Sequence, residues 1–128
     1  MPLIFISYSR KDLPQASALE RALLAEGLQV WRDLNSILPA ESFPEATGKA
    51  IADCDILVLM WSHHSRESKF VGLEWNTAIA LHKRIVPILL DSDCALPPAL
   101  APFNGLPGAD LARAAERIAQ LLQAQGAD

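Results

Sequence analysis

The sequence has few cysteines and no run of basic residues. Cys54 and Cys94 are its only cysteines in 128 residues, too few for a secreted disulfide framework and without a CxxC motif for metal or redox chemistry. Both are expected to stay reduced, and Cys54 is predicted to lie in the core. Eleven Lys and Arg against 15 Asp and Glu give a net charge of −4. Because the basic residues are scattered, no direct binding to nucleic acid is expected.

Long hydrophobic runs are missing as well. No apolar stretch approaches the roughly 18 residues needed to span a bilayer, and the N-terminus enters an apolar segment at Pro2 without a basic leader or cleavage site. A soluble, cytoplasmic protein with no membrane partner is therefore expected. With 51% hydrophobic and 20% charged residues, the chain fits one globular domain over residues 1–128.

Glycine-rich phosphate loops are absent too. The segment after the first apolar run, Ser7 to Asp12, contains no glycine, which excludes dinucleotide-binding and P-loop motifs. The third apolar run ends Met60-Trp61-Ser62 and lacks the aspartate of a phosphoacceptor. His63 and His64 are adjacent and so point apart, with no further ligand at metal-binding spacing. We predict a solvated loop there, and no metal site.

Strands and helices alternate along the sequence. The predicted strands are Leu3 to Tyr8, Leu28 to Trp31, Asp55 to Trp61 and Ile85 to Leu90, with a fifth strand of two or three residues between Asp91 and Gly108. The predicted helices are Leu13 to Glu26 ending at Gly27, a helix from the Ser42 cap to about Asp53, the segment from about Phe70 to His82, and a last helix capped by Asp110. Pro87 is expected at a strand start or a sheet edge.

This alternation predicts a flavodoxin-like α/β fold, with a parallel sheet of four to five strands and helices on both faces. In such sheets, ligands bind beyond the carboxyl ends of the strands. The loops at 8–12, 32–41 and 62–69 all leave those ends.

Glu74 stands out because a helix places its carboxylate inside the apolar stripe, within roughly 40° of Phe70, Ala78 and Leu81 on a wheel of 100° per residue. An unpaired acid in such a position costs several kcal/mol. One interpretation is a carboxylate that lines a pocket and acts on a bound ligand. The other is an edge position, where the side chain reaches water or pairs with Lys69, Arg84 or a backbone amide. The side chain leans back toward the helix start, and hence toward the carboxyl ends of the strands.

Four segments follow one another along the chain: Phe5-Ile6-Ser7-Tyr8-Ser9 with Asp12, Gly27-Leu28-Gln29-Val30-Trp31-Arg32-Asp33, Asp53 through Ser62, and Arg84 through Leu90. In this order they resemble a Toll/interleukin-1 receptor (TIR) domain of the bacterial, NAD-cleaving kind. The resemblance covers nearly the whole chain. It implies that Glu74 is the catalytic glutamate, with NAD+ as substrate, no bound cofactor, and nicotinamide plus ADP-ribose or a cyclic isomer as products.

By the same resemblance, Tyr8, Ser9 and Arg10 would line the nucleotide side of the pocket, and Trp31 and Asp33 would open the long BB loop. Tyr8 covering the sheet end and Arg10 facing solvent are the structural alternatives. Asp33 would organise the loop rather than contact substrate, and Ser42 would cap a helix. Phe70 stands where the family often has tryptophan, and its ring can still stack on a base.

The resemblance also implies a second function class, since many TIR domains are adaptors that only dock on other TIR domains. Family enzymes themselves commonly self-associate to complete the pocket. A separate or fused sensor and a role in anti-phage defence are further implications.

Overall fold

The computed structural model describes residues 2–32 and 45–126. The strands are β1 (Leu3–Ser7), β2 (Gln29–Trp31), β3 (Ile56–Trp61), β4 (Arg84–Leu89) and β5 (Leu106–Pro107). The helices are α1 (Leu13–Ala25), α2 (Glu45–Asp53), α3 (His63–Arg66), α4 (Lys69–Ala80) and α5 (Leu111–Gly126), with 3-10 turns at Arg10–Asp12 and Pro98–Leu100. The predicted strands and long helices are all found among the described residues.

The five strands form one parallel sheet in the order β2-β1-β3-β4-β5. This order confirms the predicted flavodoxin-like fold. All six residues of β3 are buried, as expected for a central strand covered on both faces. The fifth strand has two residues, which agrees with the predicted length.

Two apolar cores lie on opposite faces of the sheet. One contains Ile4 and Ile6 of β1 with residues of α1 and α5. The other contains Phe5 of β1 with residues of α2 and α4. Because side chains alternate along a strand, Ser7 shares the face of Phe5. A buried hydroxyl at the carboxyl end of β1 is therefore directed toward α4.

Helix ends agree with the sequence signals to within a few residues. Gly27 follows α1 with φ of 82°, the left-handed conformation in which a glycine commonly ends a helix. Helix α4 ends at Ala80 rather than near His82, and His82 itself has φ of 57°. A left-handed residue cannot continue a right-handed helix.

The polar stretch after β3 is not the solvated loop that we predicted. It forms the one-turn helix α3, which begins with a reciprocal capping box: each of the Ser62 and Ser65 side chains accepts a hydrogen bond from the backbone N–H of the other residue. Serine at both positions satisfies the backbone donors of the first turn. Ser62 and Ser65 are consequently buried.

Pro87 is also placed differently from the prediction. It is the fourth residue of β4, opposite Leu59 of β3, and lies neither at a strand start nor on the edge strand. The register between β4 and β5 begins one residue later, at Ile88. Because β5 has no residue opposite Pro87, no carbonyl of β5 depends on a backbone N–H from this position, and the proline is tolerated.

In α5, Ala114, Ala115, Ile118 and Ala119 are buried, whereas Leu121 is 40% exposed. The Asp110 side chain accepts from the backbone N–H of Arg113 at 3.1 Å, as predicted for a cap. No helix within residues 2–32 and 45–126 is both long and apolar enough to cross a membrane.

Gly108 lies against the end of β4 and gives a test of the packing there. A Cβ at this position would lie 2.6 Å from the backbone oxygen of Leu89, whereas a Cβ at Gly72 in α4 would meet nothing within 4 Å. We expect Gly108→Ala to lower the free energy of unfolding by about 1–3 kcal/mol. Gly72→Ala should be neutral or stabilise by up to about 1 kcal/mol, because alanine favours a helix. Urea unfolding of both variants measures the contrast, and equal stabilities would contradict it.

Candidate active site

Glu74 lies on the face of α4 that packs against the sheet and is only 7% exposed. The hydroxyl of Ser7, which is fully buried, donates to Glu74 Oε1 at 2.6 Å. The contact joins the carboxyl end of β1 to the second turn of α4. The side chain therefore does not reach out into water, and the polar group at the strand end explains how an acid is accommodated on the inner stripe of the helix.

Glu74 lies in the wall of a cavity of about 300 Å³, which we call the Glu74 cavity. It opens at the carboxyl ends of the strands, as predicted for a ligand site in this fold. Its walls come from the end of β1, the 3-10 turn that follows, and the first turns of α4. They are formed by Ile6, Tyr8, Ser9, Arg10, Lys11, Ser68, Phe70, Val71 and Glu74.

Five of the seven residues predicted for the site come together in this cavity: Tyr8, Ser9, Arg10, Phe70 and Glu74. Arg10 is exposed and Phe70 half-buried, so a cation and an aromatic ring flank the carboxylate. These are groups that bind phosphate and stack on a flat ring, respectively. Sequence reasoning did not single out Ser7 or Lys11, although a serine two residues after buried Phe5 was a usable signal for a polar group on the inner face.

Trp31 lies apart from these five residues. Trp31 is not part of the Glu74 cavity, and its ring stacks on Phe5 at 4.9 Å between centroids with 16° between planes. Its proposed contact with substrate stays a prediction. Asp33, the rest of the BB loop and Ser42 lie outside the described residues.

Arg32, the residue after β2, contacts both the ring and the hydroxyl group of Tyr8. Its guanidinium lies 5.4 Å from the Tyr8 ring centroid and donates to the Tyr8 hydroxyl at 3.0 Å. The same group makes two hydrogen bonds to Glu20 Oε1, at 2.8 and 3.2 Å. Tyr8 thus packs on the core and also lines the cavity, so the two alternatives for this residue are compatible.

A buried polar contact fixes the loop after β1. Ser62 Oγ donates to Asp12 Oδ2 at 2.5 Å, and both residues are buried. Ser62 also accepts from the Ser65 backbone N–H at 3.0 Å. The 3-10 turn carrying Arg10 and Lys11 is therefore tied to the start of α3. Preorganisation of this kind keeps a site's polar groups in place before a ligand arrives.

His63 and Cys54 are titratable residues outside the Glu74 cavity. His63 Nε2 and Asp93 Oδ1 are 2.8 Å apart, and this hydrogen bond lowers the pKa of Asp93. Cys54 is buried as predicted, and burial raises the pKa of its thiol to about 11, so it is a poor nucleophile. Within the described residues, no three His, Cys, Asp or Glu side chains are grouped to hold a metal ion.

The chain belongs to the TIR domain family. A family model described as TIR domain matches residues 4–127, in agreement with the resemblance inferred from four sequence segments. Among solved structures, the TIR domain of the Toll-related receptor TRR-2 from Hydra magnipapillata is similar, with a TM-score of 0.73, 20% identity, and coverage of 91% of this chain and 97% of that one.

Two other structures share the fold. The TIR domains of the activated Roq1 resistosome recognising the effector XopQ match with a TM-score of 0.62 and 20% identity, covering 78% of this chain and 61% of that one. The CMP N-glycosidase BcmB of Clostridium botulinum matches with a TM-score of 0.67 and 16% identity, covering 91% and 97%.

A relative in sequence is the probable 2′ cyclic ADP-D-ribose synthase BdTIR of Brachypodium distachyon. It is 30% identical over 103 residues, which cover 77% of this chain and 46% of that protein. The present chain therefore spans about half the length of this curated relative.

Proposed function

We propose that this TIR domain cleaves the bond between nicotinamide and ribose in NAD+, releasing nicotinamide and ADP-ribose or a cyclic isomer. The observation that carries the proposal is Glu74, a carboxylate held by Ser7 at 2.6 Å in the wall of a cavity. The name of the Brachypodium relative supports the same chemistry, since a 2′ cyclic ADP-ribose synthase forms an ADP-ribose product.

The cleavage suits a single carboxylate. The C1′–N bond breaks with its electron pair going to nicotinamide, which leaves as a neutral group. Positive charge then develops on the ribose, and the transition state resembles an oxocarbenium ion. A fixed carboxylate in a partly dry cavity stabilises that charge more than water does. Water attacks C1′ and loses a proton to give ADP-ribose, or a hydroxyl of the same molecule attacks to give a cyclic isomer.

The Ser7 bond would keep the carboxylate oriented. It occupies one of roughly four acceptor positions of the carboxylate. It also holds the glutamate side chain in one rotamer, where it would otherwise sample several. In this account Glu74 is the catalytic residue and Ser7 a positioning residue.

We expect Ser7→Ala to lower kcat roughly tenfold, the equivalent of one charge-assisted hydrogen bond, with a smaller effect on KM. Ser7→Thr keeps the hydroxyl and should recover most of the turnover, a rescue that loss of packing alone would not produce. Steady-state kinetics of nicotinamide release, with thermal midpoints as the folding control, measure both variants. Equal activity of the alanine and threonine variants would remove Ser7 from the account.

The alternative is a non-catalytic TIR–TIR interaction module. Its support is the fold shared with TIR domains of a resistosome. The buried carboxylate of Glu74 in the wall of a cavity argues against it, because a docking module has no need of such a group.

We further propose self-association as the activating step, with a sensor in the same or another chain, and with cytoplasmic anti-phage defence as the biological setting. NAD+ and other TIR domains would then be the partners.

The experiment that separates the two functions compares dilute protein with protein assembled on beads, each incubated with NAD+. We expect nicotinamide in both samples at equal total protein, with a higher rate per molecule on beads. If neither sample releases nicotinamide and the beads capture free TIR domain, the interaction module is the better description and catalysis by this domain alone is wrong.

A further inference from the structure

A second cavity adjoins the Glu74 cavity. It also has a volume of about 300 Å³, and the two cavities share Ser9, Lys11 and Ser68 in their walls. The rest of the second cavity is formed by His63, His64 and Glu67, and we call it the histidine cavity. The two adjoining cavities lie near the carboxyl ends of β1 and β3, one beside α4 and the other beside α3, and we call the pair the groove.

The size of the Glu74 cavity argues that it holds only part of a dinucleotide. Pockets for a drug-sized ligand measure roughly 300–1,000 Å³, so a cavity of about 300 Å³ lies at the lower limit for one such ligand. A substrate consisting of two nucleotides joined through phosphates needs a second compartment. The histidine cavity has a similar volume and shares three wall residues with the Glu74 cavity.

Charges along the groove change in an order that fits such a ligand. Glu74 lies at one end, where positive charge would develop. Lys11 lies at the junction of the two cavities, with Arg10 beside it in the wall of the Glu74 cavity. Ammonium and guanidinium groups are phosphate ligands. The far end offers the imidazole rings of His63 and His64, on which nucleic acid bases stack in many proteins. It also holds the Glu67 carboxylate, an acceptor for hydroxyl groups.

The junction is fixed by the fold. Lys11 and Arg10 belong to the 3-10 turn that the buried Asp12 ties to Ser62 at 2.5 Å. Ser62 caps α3, and α3 carries His63 and His64. Both walls of the histidine cavity are thus connected through one buried hydrogen bond, so that the spacing between Lys11 and the imidazoles is set before a ligand binds.

We propose that the histidine cavity binds the nucleoside diphosphate part of the substrate, with Lys11 paired to the phosphates and the base against His64. The inference rests on the proposed function for the identity of the reacting half, which would occupy the Glu74 cavity. It assigns to this groove a preference for phosphate-linked dinucleotides over nicotinamide nucleosides.

The test uses ADP, which has no nicotinamide and cannot be cleaved by the proposed reaction. Amide chemical shifts of the 15N-labelled wild-type protein are followed as ADP is added, with adenosine as the probe that lacks phosphate. We expect ADP to move the amide signals of Lys11, His63 and His64, and adenosine to bind at least about tenfold more weakly.

The variant Lys11→Met keeps the length of the side chain and removes its charge. We expect it to raise the Kd for ADP at least about tenfold, while Lys49→Met, an exposed site on α2, leaves the Kd unchanged. Equal Kd values for the two variants, or ADP shifts confined to residues outside the histidine cavity, would overturn the proposal.

Nicotinamide release from NAD+ is measured separately on the same preparations. ADP binding that depends on Lys11, without any nicotinamide release, would support the histidine cavity and refute the hydrolase. Nicotinamide release without Lys11-dependent ADP binding would support the hydrolase and refute this assignment of the cavity.

Discussion

Glu74→Gln is expected to lower the rate of nicotinamide release at least about a hundredfold, the range found when one electrostatic group is removed from a transition state. Glutamine keeps the shape of the side chain and its acceptor oxygen, so the bond from Ser7 can persist. What is lost is the negative charge that opposes the positive charge on the ribose. The effect should therefore fall on kcat, with little change in KM.

The matched control for this variant is Glu116→Gln. Glu116 is exposed on α5, on the opposite face of the sheet from α4, and the same change of charge there should leave the rate within a factor of about two. Circular dichroism and thermal midpoints establish that both variants fold. A Glu74→Gln protein as active as the wild type would exclude the carboxylate from the chemistry.

Trp61→Ala should have the largest effect on stability. Trp61 ends the central strand, is 1% exposed, and its indole N–H donates to the Ala95 carbonyl at 3.1 Å. Truncation removes a large buried ring and leaves that carbonyl without this donor. We expect the free energy of unfolding to fall by about 3–5 kcal/mol, enough to unfold a large fraction of a marginally stable domain.

Trp61→Phe separates the two contributions, since it keeps most of the ring and removes the donor, and a loss of about 1–3 kcal/mol is expected. Leu24→Ala, at a position 53% exposed on α1, should change stability by no more than about 0.5 kcal/mol. Urea unfolding followed by far-UV circular dichroism measures all three without relying on tryptophan fluorescence. A Trp61→Ala protein as stable as Leu24→Ala would show that the core between the sheet and helices α2 and α4 is not organised around this ring.

The sheet could be predicted because its signals are local. The continuous apolar run ending at Trp61 predicts a central strand, Gly27 predicts the end of α1, and the alternation of elements predicts parallel pairing. Errors arose where tertiary context decides. Serine at 62 and 65 is ambiguous between a loop and a capping box, and the buried contact to Asp12 resolves it in favour of a helix. Pro87 is tolerated in β4 because β5 is so short.

The candidate site was predictable only where its signals are local in the sequence. A helical wheel places Glu74 on the apolar face, which identifies an unusual acid but not its partner. The partner, Ser7, is 67 residues away in sequence, and only the pairing of β1 with β3 and the packing of α4 bring the two together. The resemblance to TIR domains supplied the position proposed for the catalytic carboxylate. The role proposed for Lys11 required the shape of the groove, because a lysine in a polar loop is normally solvated.

The most direct test of the account is a mass balance for NAD+ incubated with bead-assembled wild type and with bead-assembled Glu74→Gln protein. Liquid chromatography with mass spectrometry would quantify NAD+, nicotinamide and ADP-ribose species together, and linear and cyclic products differ by one water. We predict one nicotinamide per NAD+ consumed by the wild type and almost none from the variant. Intact NAD+ with the wild type, or equal nicotinamide release by both proteins, would contradict cleavage at a site centred on Glu74.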